Sequence, residues 1–171
     1  SWYSSNLAGQ ADKISKEAGF CGDREMRTGY SWSSESSSTI YYKAYERLYA
    51  NKTPTLKCSN SADLYTVSGS SKGNKALLNP VGLITADEVS MAGGAYAQNN
   101  KSYYLYNNQY YWTMSPSYFS NNSAGVFLIY SYGGLTHSNL NLTFGVRPVI
   151  NLSADVTVKS GNGTSTTPYE I

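Results

Sequence analysis

The protein has 171 residues, with 13 Lys and Arg against 11 Asp and Glu, and charged side chains make up only 14% of it. A chain of this mass buries about 69% of its extended surface on folding, enough for one core without metal, and a net charge of +2 without a basic run excludes a nucleic-acid surface. The longest apolar runs, 125–130 and 144–150, are far shorter than the ~20 residues of a spanning helix, so this segment is not expected to insert into a membrane.

Along the chain, Leu7, Ala11, Ile14 and Ala18 fall at helical spacing and Gly19 follows, which predicts an amphipathic helix over 2–19. After a Ser-rich loop at 32–38, Ile40, Ala44, Tyr45 and Leu48 predict a second helix ending near Asn51, ahead of Pro54. Residues 56–58 and 64–67 are short strand candidates. The apolar run 81–84 enters Thr85-Ala86-Asp87-Glu88, a capping box that predicts a strand leading into a short third helix stopped by Gly93-Gly94. Asp87 and Glu88 resemble paired catalytic carboxylates, but neighbouring helical positions diverge by about 100° and both suit a helix N-terminus.

From residue 103 onward short strand candidates follow at 103–106, 109–114, 126–130, 144–152, 156–158 and 169–171. Asn107-Asn108, Ser131-Tyr132-Gly133-Gly134 and Gly161-Asn162-Gly163 punctuate them as turns. Helices early and strands late predict an α+β fold: two N-terminal helices and a short third helix around a mixed, mostly antiparallel sheet. The length favours one domain over 1–171, expected to be the C-terminal part of a longer exported protein.

Tyr, Ser, Asn and Gly together supply 73 of the 171 residues. This is the composition of recognition loops, where rigid amphipathic rings sit beside small adaptable polar groups. Cys21 and Cys58, an even pair in such a chain, predict one disulfide and an oxidising compartment. A cysteine nucleophile paired with His137 is the alternative. One histidine and two cysteines are too few ligands for zinc. No phosphate loop, dinucleotide fingerprint or nucleophile elbow is present, and no catalytic residue, metal or cofactor is expected.

Two stretches carry a resemblance: Tyr110-Tyr111-Trp112-Thr113-Met114-Ser115-Pro116, and Phe144-Gly145-Val146-Arg147-Pro148-Val149-Ile150-Asn151-Leu152. They resemble the bacterial C-type-lectin-like fold shared with formylglycine-generating-enzyme-type domains, and variable proteins diversified by retroelements. The chain as a whole resembles surface or prepilin-like proteins of Firmicutes. The resemblance implies that a buried Trp112 and Arg147 anchor the sheet as scaffold. It implies that the interval between them presents the ligand-binding residues Tyr118, Tyr130, Tyr132, His137, Asn139 and Asn141, with neighbouring Asn121 and Asn122. The resulting expectation is an extracellular or cell-surface recognition domain, adhesin-like, for a protein or glycan ligand. The rivals are a structural pilin-type subunit, assembled into a surface or pilus-like structure, and an enzyme of the formylglycine-generating or hydrolytic type. The calcium and sugar triplets of calcium-dependent lectins are missing from the sequence. Tyr130 to Asn141 is expected to be a presenting loop, with His137 exposed and Tyr132 its exposed anchor.

Overall fold

Along residues 111–117 the side chains of Tyr111, Thr113, Ser115 and Ser117 are buried, and those of Trp112, Met114 and Pro116 are half-buried. This period-2 alternation makes a strand, and it forms the centre of the computed structural model, described over residues 1–31, 39–164 and 166–171. Strand β5 (Tyr111–Ser120) pairs with β6 (Ser123–Ile129), β6 with β7 (Leu135–Asn139), and β2 (Ile40–Tyr41) closes the other side, giving the antiparallel order β2-β5-β6-β7. Two smaller antiparallel ladders join β1 (Phe20–Cys21) to β3 (Leu64–Tyr65), and β4 (Gly82–Leu83) to β8 (Pro148–Val149).

The pairing of β5 with β6 is not regular. Trp112 faces Leu128, Pro116 faces Val126 and Tyr118 faces Gly125, so β5 carries extra residues at two register shifts on either side of Pro116. Proline has no N–H for the ladder and is accommodated in a sheet at such bulges.

One face of this sheet is covered by two helical segments. Helix α2 (Lys43–Tyr45) continues as a π-helical turn over Glu46–Asn51, and Lys52 ends it in a left-handed conformation at φ 54°. Helix α3 (Ala86–Met91) starts at the capping box expected from the sequence: the Thr85 hydroxyl accepts from Glu88 N–H at 3.1 Å and the Glu88 carboxylate accepts from Thr85 N–H at 2.7 Å. Ala44, Leu48, Ala86 and Val89 from these segments pack against Tyr111, Phe127, Ile129 and Leu135 of the sheet.

The α+β class and the antiparallel sheet agree with the sequence reading, but several elements differ. In place of a helix over 2–19 there is α1 (Trp2–Asn6) and a 3-10 turn at Ala8–Gln10, after which Ile14 bridges Leu152 and Ser15 N–H donates to Asn151 C=O at 2.8 Å. Ile14 is thus buried by a β contact, which an i, i+4 pattern does not distinguish from a helical face. The second helix begins at Lys43, because Ile40 and Tyr41 pair with Phe119 and Tyr118 instead. Residues 56–58, 103–106 and 156–158 form no strand, and only Pro148–Val149 of 144–152 does. Glu170 contributes a single bridge to Ser160. The Ser-rich loop at 32–38 lies outside the described residues.

Trp112 is half-buried against Phe144, with ring centroids 5.2 Å apart, whereas its neighbour Tyr111 is 1% exposed and fills the core. Adjacent strand residues point to opposite faces, and the helices cover the Tyr111 face. Arg147 lies 4.8 Å over the Tyr111 ring and donates from Nη1 to Leu105 C=O at 2.6 Å.

Covalent and ionic ties hold the N-terminal half to this frame. Cys21 and Cys58 form a disulfide, and the Arg24 guanidinium pairs with Asp63. Arg47 donates to Asp87 from Nε at 2.8 Å and from Nη2 at 2.7 Å, and to Asp23 from Nη2 at 2.6 Å; Thr55 N–H also donates to Asp87, at 2.9 Å. The expected structural role of Asp87 is thus an ion pair as well as a first-turn charge. Burial pushes the Asp23 carboxyl up to about 6, with Arg47 pulling it down and Asp87 adding repulsion.

Two predictions follow from this packing. Tyr111→Ala is expected to cost about 3 to 5 kcal/mol in chemical denaturation, the range for emptying a large aromatic core position, and Trp112→Ala clearly less; the reverse ranking contradicts the assignment. A carboxyl raised in the folded state stabilises it most below its unfolded value and loses that contribution as pH rises through about 6. Wild-type melting temperature, relative to Asp23→Asn, is therefore expected to fall between about pH 4 and pH 7. Asn also tolerates the φ of 52° at this position.

Candidate functional site

The bulge after Pro116 adds Ser117 between two paired positions of β5, and Tyr118 then shares a face with Gly125, Phe127 and the β7 residues opposite them. A Cβ at Gly125 would overlap the Tyr118 ring, so glycine is required for that ring to lie across β6. Ser117 and Tyr118 consequently both reach His137: Ser117 Oγ lies 2.9 Å from Nδ1, and the Tyr118 ring centroid lies 5.1 Å from the imidazole. Tyr118 Oη donates to Asn139 Oδ1 at 2.5 Å.

Further rings close around the histidine. Tyr45 and Tyr96 each stand 5.8 Å from it, centroid to centroid, and Phe127 stands 6.1 Å away from below. Tyr41 stacks on Tyr45 at 4.3 Å, Tyr45 meets Tyr49 at 5.0 Å, and Tyr49 meets Tyr96 edge-on at 5.2 Å. Tyr45 and Tyr49 are four residues apart, so α2 and its π extension set them on one side, while Tyr41, at the end of β2 beside Tyr118, continues the row. That spacing was visible in the sequence, but it is masked there by the apolar set Ile40, Ala44 and Leu48 used to predict the helix. Tyr96 had no local signal; it arrives through the parallel bridge between Tyr96 and Leu135. Beside Tyr49 and Tyr96 a cleft of about 270 Å³ is lined also by Leu48, Lys52, Ser90 and Gln98.

His137 and Asn139 therefore stand on a strand rather than in a loop, and His137 is half-buried. The loop that the sequence suggested over 130–141 contracts to the turn at 130–134, closed by Tyr130 N–H to Gly134 C=O at 3.0 Å, with Gly133 at φ 84°. Tyr130 and Tyr132 belong to a different group, on the opposite face. Tyr130 meets Tyr110 at 5.3 Å and Tyr132 at 5.0 Å, while Tyr110 stacks on Phe144 at 5.3 Å. Trp112 N–H donates to Gly145 C=O and Gly145 N–H to Tyr110 C=O, both at 3.0 Å, so that group fastens 144–145 to the sheet. Tyr132 is half-buried rather than exposed, and Asn121, Asn122 and Asn141 are exposed. The candidate residues thus divide: Tyr118, His137 and Asn139 come together, Tyr130 and Tyr132 pack elsewhere, and Asn141 joins neither group.

Two hydroxyls converge on His137 Nδ1, Ser117 at 2.9 Å and Tyr96 at 3.4 Å. Nδ1 is therefore the nitrogen engaged by protein hydroxyls. Nε2 makes no hydrogen bond among the described residues and is not one of the buried unpaired polar atoms, which are Tyr103 Oη and Tyr111 Oη; it is open to a ligand. A Ser–His distance of this kind also occurs in nucleophilic catalysis. Here Ser117 is 0% exposed, and its hydroxyl holds the ring from inside the sheet. Burial lowers the His137 pKa from its ordinary 6.5, and burial likewise pushes Tyr96 up to about 12. The surface is aromatic, with Lys52 in the lining of the adjoining cleft. With the disulfide formed there is no free cysteine among the described residues.

Comparison with protein-family models, curated proteins and solved structures gave no match in any of the three.

By NMR titration, His137 is expected to protonate below 6.5. A histidine lowered in the folded state contributes stability that is present above its unfolded pKa and lost as pH falls through the folded one. His137→Gln is therefore expected to reduce the loss of melting temperature on acidification below pH ~6.5. Protonation at or above the ordinary value contradicts the buried, hydroxyl-capped imidazole.

Proposed function

We propose that this chain is the recognition domain of an exported protein and holds its ligand on the tyrosine surface around His137. The observation that carries this reading is the convergence of Tyr45, Tyr96 and Tyr118 on one half-buried imidazole, with Tyr49 against Tyr45 and Tyr96 and with Asn139 at the border. Rigid rings with polar tips offer large contact area at little entropic cost. The Tyr130 and Tyr132 group is the weaker candidate, since its rings are engaged in holding the segment after Phe144. The disulfide supports an oxidising, extracellular location.

The C-type-lectin-like assignment is part of this proposal. It rests on the resemblance of 110–116 and 144–152 and is supported by Arg147 packed over Tyr111 between those segments. The relation to retroelement-diversified proteins, part of the same proposal, puts variation on Tyr118, His137 and Asn139 of this surface, with Tyr45, Tyr49 and Tyr96 outside that interval.

A screen of the wild-type domain against glycan and surface-protein arrays supplies the ligand for the test. Tyr96→Ala and Tyr49→Ala are then expected to weaken binding by about 2 kcal/mol or more each, as aromatic hot spots do. Asn141→Ala leaves affinity unchanged, and Tyr49→Ala keeps the melting temperature near wild type because Tyr49 is 53% exposed. Unaltered affinity in both tyrosine variants overturns this site.

A further inference from the structure

The two edges of the main sheet are treated differently. At β2 the edge is covered: Arg27 N–H donates to Tyr41 C=O at 2.9 Å, Lys43 N–H donates to Glu25 C=O at 2.8 Å, and Met26 bridges Tyr42. At β7 the cover stops after one residue. Leu135 N–H donates to Ala95 C=O at 3.1 Å and Leu135 C=O accepts from Ala97 N–H at 2.8 Å, so the 95–97 segment runs beside the start of the strand. Ala97 then adopts a left-handed conformation at φ 54°, and the chain doubles back past Gly134 and Gly133, whose Cβ positions would meet Gln98 and Asn100 backbone oxygens.

Which groups this leaves open follows from the ladder. Tyr130 N–H donates to Gly134 C=O and Leu140 N–H to Ala124 C=O. In an antiparallel pair bonded positions alternate, so Thr136 and Ser138 bond to β6, while Leu135, His137 and Asn139 turn their backbone groups outward. Leu135 is satisfied by 95–97, and Asn139 C=O accepts from Leu142 N–H at 3.3 Å. His137 N–H, His137 C=O and Asn139 N–H have no protein partner among the described residues. Natural sheets protect such an edge with lysine, proline or a covering segment; the sequence Leu135-Thr136-His137-Ser138-Asn139 has neither lysine nor proline.

From this open edge we infer that the ligand is an extended peptide segment that adds to β7 as a short fifth strand; this rests on the recognition reading above and names its ligand class. The three open backbone groups match, in an antiparallel extended segment, the C=O and N–H of one residue and the C=O of the residue two positions before it. The peptide residue set opposite His137 puts its side chain on the same sheet face as the imidazole, next to Tyr96, which stands at this edge. That aromatic environment selects an apolar or aromatic side chain there. Main-chain bonds then supply affinity and the tyrosine surface supplies specificity.

The test uses the wild-type chain to select binders from a phage-displayed library of short random peptides, with a glycan array in parallel. For a selected peptide, His137→Pro is expected to bind about tenfold or more weakly than His137→Ala, and Asn139→Pro more weakly than Asn139→Ala by a similar factor, because only proline removes the outward N–H. These N–H groups lie outside the β6 ladder, where proline is tolerated; if the proline variants nevertheless fail to fold, amide exchange of the wild type with and without peptide decides, with new protection at His137 and Asn139 expected. Peptide binding without that protection overturns the inference. Glycan binding lost in Tyr96→Ala, with no peptide selected, overturns the peptide class and leaves the recognition reading standing. No binder in either arm overturns both. Self-association that protects the same two amides also overturns it, since the occupant is then a second copy of the chain.

Discussion

The register shift in β5 is the constraint on which the candidate site depends. A regular pairing with β6 would send Ser117 and Tyr118 to opposite faces of the sheet. With the extra residue after Pro116, the serine reaches His137 Nδ1 and the tyrosine ring crosses Gly125 to meet the imidazole and Asn139. One local irregularity therefore orients the histidine and completes the ring of tyrosines.

The helical cover extends that arrangement. Tyr45 and Tyr49 keep their places near His137 and Tyr96 only if α2 and its π extension keep theirs on the sheet, and these are fixed by Ala44 and Leu48 in the core and by Arg47 bound to Asp87 of α3 and to Asp23. Asp23 lies two residues after Cys21, so the disulfide and the ion cluster tie the same corner. The two titrating groups work in opposite senses. Asp23 favours the fold at low pH and His137 at high pH, because burial raises the first and lowers the second. The binding surface itself is built mainly from aromatic rings, consistent with a ligand recognised through rings and backbone hydrogen bonds.

Local chemistry was legible in the sequence. The Thr85–Glu88 capping box, the strand through Phe127 and Ile129, the helix stop near Asn51 and the Cys21–Cys58 pair all depend on residues acting within one turn or one strand, or on composition. The failures depend on partners far along the chain. Ile14 pairs with Leu152, so its helical spacing carried no helix. Leu135-Thr136-His137-Ser138-Asn139 has a single apolar residue and reads as a polar loop; it is a strand because β6 supplies its ladder and Tyr96 its neighbour. Trp112 was the conspicuous aromatic of its strand, yet the helices lie on the face of Tyr111. His137, Asn139 and Tyr118 were singled out together from their neutral, polar and aromatic character, but their grouping, and their separation from Tyr130 and Tyr132, follow from the bulge and the pleat.

The central claim is that 135–139 is a strand with one edge paired and the other open at His137, and native-state amide hydrogen exchange of the free protein tests it most directly. The account predicts slow exchange at Leu135, Thr136 and Ser138, whose N–H groups are bonded, and exchange faster by orders of magnitude at His137 and Asn139. Equal protection at His137 and Ser138, or uniformly fast exchange across all five residues, would contradict it.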